Sequence, residues 1–406
     1  MIYLPILKTM KTIKHCRLCG SKLLQTFFDL GKQPYANSLL RAPDTHEKTY
    51  PLSLSYCNSC SLVQLNQTAS PKELFDNYVW VTGTAQTTRD WAERFCFEVL
   101  KRQSMPGRVL ELASNDGTFL KPFVELGIPV LGIDPAKNIV DMANGSGINT
   151  ICQFFGASKV NRILLNYDKA SVVIARNVLP HVENLHSFVR GMEKIMLDDG
   201  LMVIEFHYAG AILGDLHYDS IYHEHLHYFT LKTLDKLLRY YNLYIQDLMF
   251  SPINAGNLVV FVRKGSGIGT KAVFRLIEQE KKFEVNKLGN WKGFAHRANV
   301  HKQRLLNILK GKENIVGYGS SARSSTLLNY CGIRLPIIAD DNYLKQGKYT
   351  AGTQIYIDHS DNVMGRFPDY VLILAWNFAG EIMKSVREKY GYRGRFIIPL
   401  PKLKII

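Results

Sequence analysis

The stretch from Gly107 to Val140, GRVLELASNDGTFLKPFVELGIPVLGIDPAKNIV, decides the fold of this chain. An apolar run, Val109 to Leu112, ends in the small polar turn ASNDG; a helix is predicted from about Thr118, and a second apolar run, Val130 to Ile133, closes on Asp134. Short apolar runs separated by a helical segment are the pattern of a βαβ crossover in a parallel sheet. In such a unit the turn after the first strand brings its backbone close to a ligand, and the acid closing the second strand accepts hydrogen bonds from ribose hydroxyls. Only Gly117 is glycine in this turn, so no row of free amides opens the helix toward a pyrophosphate. That favours an adenosyl ligand without phosphates, of which S-adenosylmethionine is the commonest. The predicted cofactor cradle is Glu111, Ala113, Asn115, Asp116, Gly117, Asp134 and Pro135, with Glu111 and Asn115 at the amino-acid end and Asp134 at the ribose. An ordinary α/β crossover with no ligand is the alternative reading of this motif taken alone.

Downstream, ASVVIARNVLPHVENLHSFV places a strand before Asn177, a turn with His181 and then a helix, and LMVIEFHY is the next strand, ending near Glu205 and His207. Ligands of open α/β sheets collect beyond the carboxyl ends of the strands, so Asn177, His181, Glu205 and His207 are expected to face one crevice. The block HYDSIYHEHLHYFTL, residues 217 to 231, follows at its mouth. In a regular strand His223, His225 and His227 share one face and Tyr222, Glu224, Leu226 and Tyr228 the other. Tyr222, Glu224 and His225 converge on one ligand only if the segment turns. The string His223-Glu224-x-x-His227 also fits the H-E-x-x-H pattern of zinc hydrolases, which requires a helix; its aromatic flanks suit a long helix poorly and no third ligand is evident.

Upstream, four of the seven cysteines form two C-x-x-C knuckles, Cys16 with Cys19 and Cys57 with Cys60. Two such knuckles complete a tetrahedral Zn(II) site, and four thiolates leave no open position for catalysis, so the expected role is structural. Cys96, Cys152 and Cys331 are isolated and read as small apolar residues. A ribbon gripping nucleic acid would want basic and aromatic residues around the knuckles, and only Lys14, His15, Arg17 and Lys22 qualify.

Toward the end, NIVGYGSSARSSTLLNYCGIRLPIIADDN repeats the strand, turn, helix, strand grammar, with PDYVLILAWNF and RFIIPLP as further strands. A second α/β domain is predicted, with Ser320, Ser321 and Arg323 at a helix N-terminus suited to phosphate. Between the two, residues 263 to 312 hold thirteen Lys or Arg against three acids, at helical spacing. This reads as one or two amphipathic helices with a solvated face rather than a nucleic-acid patch. The formal charge of +15 suits a small anionic ligand equally well. With 46% hydrophobic and 21% charged residues the chain is globular, and no run approaches the ~18 apolar residues of a membrane-spanning helix. A cytoplasmic protein without a secretory leader is expected.

Taken in order, the four-cysteine module, ELASNDG, ARNVLPHV, IYHEHLHYF and GYGSSARSSTLLNYCGI resemble the S-adenosylmethionine-dependent C-methyltransferases of nucleotide-linked 4-keto-deoxysugars, and the likeness spans essentially the whole chain. The resemblance implies an α/β protein with a zinc-binding module (1–75), a Rossmann-like methyltransferase domain (76–265), a helical connector (266–310) and a C-terminal Rossmann-like domain that helps hold the sugar nucleotide (311–406). It places Tyr222, Glu224 and His225 in the active-site block, His181 beside them, and Tyr78 in DNYVWVTGTA over the sugar. It implies cofactor contact at Asn177 and substrate contact at Tyr78, His181, Tyr222, Gly319, Ser320, Arg323 and Asn377. Two departures are evident: GYGSSARSST stands where the family often has GYGAPAKGNT, and INAGNL where a glycine pair is common. The expected reaction removes a proton beside the 4-ketone with His225 as base, Glu224 orienting, and Tyr222 with His181 at the ketone oxygen. The methyl is expected at carbon 3. A monomer or weak oligomer, with no nucleic-acid or membrane partner, completes the expectation; a zinc hydrolase and a non-catalytic zinc-ribbon protein are the alternatives.

Overall fold

The computed structural model describes residues 10–44, 46–69, 74, 81–253 and 255–406. Near the N-terminus, β1 (Leu24–Gln33), β2 (Tyr50–Cys57) and β3 (Val63–Leu65) form an antiparallel sheet. The alternation LSLSY in β2 explains its place, since period-2 side chains divide between faces. Leu52, Leu54 and Tyr56 enter the core, while Ser53 and Ser55 bond to Asn66 and Thr26 at 2.9 and 3.0 Å.

The central sheet comprises β4 (Val109–Leu112), β5 (Val130–Asp134), β6 (Thr150–Cys152), β7 (Ala170–Arg176) and β8 (Met196–His207). The two-residue β9 (His227–Tyr228) lies outside it, and β10 (Leu243–Phe250) and β11 (Asn257–Lys264) complete it. Its order is β6-β5-β4-β7-β8-β11-β10, with parallel pairing through β8 and β11 running antiparallel. Strands buried on both faces read as nearly unbroken apolar runs, as VVIA and LMVIEF do. Strand order reverses between β4 and β7, so the ligand crevice lies beyond their carboxyl ends. The helix expected from about Thr118 begins at Lys121 instead, because residues 114–120 close a series of turns. Pro122 then occupies the first helical turn, where a missing N–H costs nothing.

The basic stretch forms α1 (Lys271–Lys282) and α2 (Leu288–Leu309). Trp291, Phe294, Ala298, His301 and Leu305 recur every three or four residues and are buried, while Lys292, Arg297 and Arg304 face solvent. The last domain holds β12 (Ile315–Tyr318), α3 (Ala322–Cys331), β13 (Ile338–Ala339), β14 (Ile357–Asp358), β15 (Tyr370–Ile373), β16 (Arg395–Ile398) and β17 (Lys404–Ile405). Its order is β14-β13-β12-β15-β16-β17, parallel except for β17, with the reversal between β12 and β15.

The N-terminal sheet has no core of its own. Phe28, Leu52 and Leu54 share one with Trp291, Phe294, Leu327 and Leu328, while Cys16, Leu18 and Leu62 join the core of the central domain. A unit of about 60 residues has only a marginal core of its own, and this one borrows from both neighbours.

Candidate active site

The His-rich block does turn where convergence requires it. The His225 amide bonds to the Tyr222 carbonyl at 2.9 Å, and only His227–Tyr228 is strand. That strand pairs with β3 of the N-terminal sheet, His227 opposite Gln64 and Tyr228 opposite Val63. The turn folds the Tyr222 hydroxyl to 2.7 Å from His225 Nε2. His225 Nδ1 lies 2.7 Å from the Ser220 carbonyl, which can only accept. The ring therefore carries its proton on Nδ1 and receives the tyrosine hydroxyl at Nε2. Burial, with His181 and Arg323 nearby, holds His225 well below 6.5, so the ring is the neutral, proton-accepting form. The His181 ring stands edge-on at 4.8 Å, and burial pushes it down to about 4.

Glu224 projects elsewhere, its Oε1 accepting from the Asn37 amide at 2.6 Å. Burial raises the carboxyl to about 7 against the opposing pull of Asn37. His223 and His227 are spoken for by the Pro51 and Val182 carbonyls at 3.1 and 2.9 Å. They point to different elements and lie on no helix, so the H-E-x-x-H string holds no hydrolase site. Among the described residues, the one group of three or more metal-ligating side chains is Cys16, Cys19, Cys57 and Cys60.

Those four sulfurs lie within 4.8 Å of one another, with Cys16–Cys60 at 3.5 Å and Cys19–Cys57 at 3.6 Å. Thiolates about 2.3 Å from a tetrahedral zinc stand about 3.8 Å apart, so the residues fit the ion. Arg17, between the first two cysteines, gives the knuckle its reach. Its guanidinium donates to the carbonyls of Leu65 at 2.8 Å, Gln67 at 3.0 Å and Leu226 at 3.2 Å, the last inside the His-rich block.

At the other side of the crevice, Glu111, one residue before the end of β4, is fully buried 3.8 Å from Arg176, and its Oε2 has no hydrogen-bond partner. Burial, offset in part by Arg176, raises this carboxyl to about 8. Asp134 ends β5 and accepts the amides of Asn115 at 3.0 Å and Ala136 at 2.9 Å. A buried carboxyl with one unpartnered oxygen near one strand end and a second acid at the next suit a ligand with an α-ammonium group and a ribose, as S-adenosylmethionine has. Arg176 is fixed by Glu205 at 2.7 Å, and Asn257 bridges Asn177 and Glu205 at 2.9 and 3.1 Å. The Thr82 and Gly83 amides bond to the side chains of Asn115 and Asp116 at 2.8 and 2.9 Å, laying a strap on the cradle. A Cβ at Gly83 would meet Thr118 Oγ1 at 2.6 Å, so only glycine lies this close. Tyr78, expected over the sugar, lies outside the described residues.

Glu111 carries a measurable consequence. Because its carboxyl is mostly protonated at neutral pH in the free protein, an ammonium brought beside it favours ionisation. Binding S-adenosylhomocysteine at neutral pH is expected to release up to about one proton per site, read by calorimetry in buffers of differing ionisation enthalpy. Uptake, or no exchange, would remove Glu111 from contact with the ammonium.

In the C-terminal domain the phosphate-like turn is already partnered. The Ser320 amide donates to Asp340 at 2.7 Å, Ser321 caps α3 through the Ser324 amide at 3.2 Å, and Arg323 pairs with Asp219. Ser320, Ser321, Ser324 and Lys345 line a crevice with Asn37 of the N-terminal module. Gly319 has φ +91°, and a Cβ there would come within 2.5 Å of Ala375, so the turns after β12 and β15 touch. Asn377 follows in the half-buried turn after β15. Sequence reasoning did not reach Asn37, Asp219 or the Thr82–Gly83 strap, and it named Arg17 only as a basic residue beside the knuckles, without its reach to Leu226.

Three family models match: a zinc binding domain over residues 16–75, a methyltransferase domain over 86–248 and a C-methyltransferase C-terminal domain over 252–401. The chain is 29% identical to C-methyltransferase NovU of Streptomyces niveus over 409 aligned residues, covering 98% of this chain and 97% of that protein. It is 21% identical over 98 residues to a ubiquinone biosynthesis O-methyltransferase of Bartonella tribocorum, 24% of this chain and 40% of that one. Among solved structures, the CcbJ methyltransferase of Streptomyces caelestis is 14% identical with a TM-score of 0.37, over 47% of this chain and 97% of that one.

Proposed function

Since this chain belongs to the S-adenosylmethionine-dependent C-methyltransferases and carries a zinc module, we propose that its acceptor is a nucleotide-linked 4-keto-deoxysugar methylated at carbon 3. The observation that carries the reading is the Tyr222–His225 pair, a neutral imidazole and a phenol 2.7 Å apart beside His181. A 4-ketone acidifies the adjacent C–H. His225 Nε2 takes that proton, the C–H electron pair becomes the enolate double bond, and the carbonyl π pair moves onto the ketone oxygen, to return when the carbon attacks the methyl. Tyr222, released from Nε2 as the sugar enters, turns its hydroxyl to that oxygen, with His181 as the second polar group there. S-adenosylmethionine, when bound, supplies an electrophilic sulfonium methyl whose C–S pair returns to sulfur as the new C–C bond forms. Glu111, Asn115 and Asp134 hold the cofactor, together with the backbone at Ala113, Asp116, Gly117 and Pro135 and with Asn177. Ser320, Gly319 and Asn377 lie toward the nucleotide, and the Thr82–Gly83 strap helps exclude water.

A second reading gives the proton to Glu224, because its carboxyl stands at about 7, close to neutrality. Incubation with a panel of 4-keto nucleotide sugars, followed by mass spectrometry for a methyl gain and for deuterium uptake beside the ketone, tests both. Methyl transfer to none of them, with S-adenosylhomocysteine still bound, would remove the sugar acceptor. Deuterium uptake lost in Glu224→Gln but retained in His225→Gln would move the base to Glu224.

A further inference from the structure

In the C-terminal sheet the ligand position of an α/β fold, beyond the strand ends where the order reverses, lies between β12 and β15. Gly319 and Ala375 close on each other there, and the groups facing it are Arg323 in the first turn of α3 and Trp376 just after β15. A carboxylate occupies it, and that carboxylate belongs to the central domain. Asp219 Oδ2 accepts from Trp376 Nε1 at 2.6 Å and from Arg323 Nε at 3.1 Å, and Oδ1 accepts from Arg323 Nη2 at 3.2 Å. The guanidinium stacks over the Trp376 ring at 4.5 Å, and Asp219 is 1% exposed. One residue on is Ser220, whose carbonyl receives His225 Nδ1–H at 2.7 Å. Two residues on is Ile221, whose carbonyl accepts from Thr326 Oγ1 of the same α3 at 3.0 Å. Helix α3 thus grips the chain on both sides of the one carbonyl that sets the His225 tautomer.

We propose that Asp219, held by Arg323 and Trp376 while Thr326 holds the Ile221 carbonyl, is a positioning residue through which the C-terminal domain fixes the Ser220 carbonyl and so keeps the His225 lone pair on Nε2. The switch-point socket of this domain serves a side chain of its own polypeptide, and Arg323 acts through Asp219 rather than on a phosphate. A His225 ring freed from Ser220 would also populate the Nε2–H form, which has no lone pair directed at the acceptor. The bidentate fork explains the arginine, since lysine cannot span both carboxylate oxygens.

The proposal rests on His225 as the base, and its test separates the two. Asp219→Asn, Arg323→Lys and Thr326→Val are compared with Thr326→Ser and His225→Gln for methyl transfer to a 4-keto nucleotide sugar, S-adenosylhomocysteine affinity and the ¹⁵N tautomer pattern of His225. In Asp219→Asn and Thr326→Val, kcat is expected to fall by about 10²-fold, as when a catalytic group is misplaced by about 1 Å, with KM and cofactor affinity unchanged. The His225 signal shifts from pure Nδ1–H to a mixture, and Thr326→Ser restores both. A wild-type tautomer and kcat in Asp219→Asn and Thr326→Val overturn the proposal, as does a loss of cofactor affinity equal to the loss of kcat. Full turnover in His225→Gln would instead dismiss the base assignment, while the tautomer readout still decides the clamp.

Discussion

His225→Gln is expected to lower methyl transfer by about 10²–10⁴-fold, the contribution of a positioned general base, while S-adenosylhomocysteine binds as in the wild type. Glutamine keeps roughly the volume and can still accept the Tyr222 hydroxyl, so the turn at Tyr222–His225 survives and the loss reports chemistry. The pH dependence separates this base from its rival. His225 lies well below 6.5, so its base form persists at every higher pH and is lost only as pH falls below that value. A carboxyl at about 7 would instead be half protonated at neutrality, and a reaction that used Glu224 would decline through that region as pH falls. A kcat profile flat from neutrality down to 6.5 supports His225. Turnover in His225→Gln within about tenfold of wild type would take the residue out of proton transfer.

Removing the zinc, by chelation or by Cys16→Ser, is expected to abolish activity together with the fold of the N-terminal sheet. A structural zinc contributes an apparent ~10–16 kcal/mol in small zinc peptides, more than most domains hold in reserve. The consequence for catalysis follows from two connections. Arg17 reaches Leu226, and β3 pairs with β9, so the block carrying Tyr222, Glu224 and His225 is partly a strand of the zinc-bound sheet. Metal analysis should give one zinc per chain, and circular dichroism should report the loss of structure on chelation. A metal-free chain that unfolds and turns over like the wild type would sink this coupling; two zinc ions per chain would reopen a second site.

Patterns that are local in the chain were legible. The apolar run, ASNDG turn and second run ending in Asp134 marked a βαβ cradle, because the periodicity of a buried parallel strand is written in consecutive residues. The paired C-x-x-C knuckles marked a tetrahedral metal site for the same reason. The start of the helix was misplaced by three residues, since a series of turns through Gly117 extends the cradle to Leu120. The basic residues of α1 and α2 were readable as a solvated face from their helical spacing, but not what the opposite face covers. Trp291 and Phe294 pack on Phe27 and Phe28, more than 260 residues earlier in the chain.

What the sequence by itself determined is the set of parts: a paired-cysteine knuckle, a βαβ unit with a glycine-poor turn, a histidine block and a second α/β unit. Strand phasing even posed the condition that the block must turn before Tyr222 and His225 could meet. Only the tertiary structure decided how the parts share work. It set His227 and Tyr228 into the N-terminal sheet, gave Glu224 to Asn37, and seated Asp219 between Arg323 and Trp376. Each of these contacts joins residues more than 100 positions apart, and each exists because buried polar groups must find partners wherever the packed elements bring them. No spacing rule carries that information, since which donor meets which buried carboxylate is settled only once the cores of three units have closed on one another.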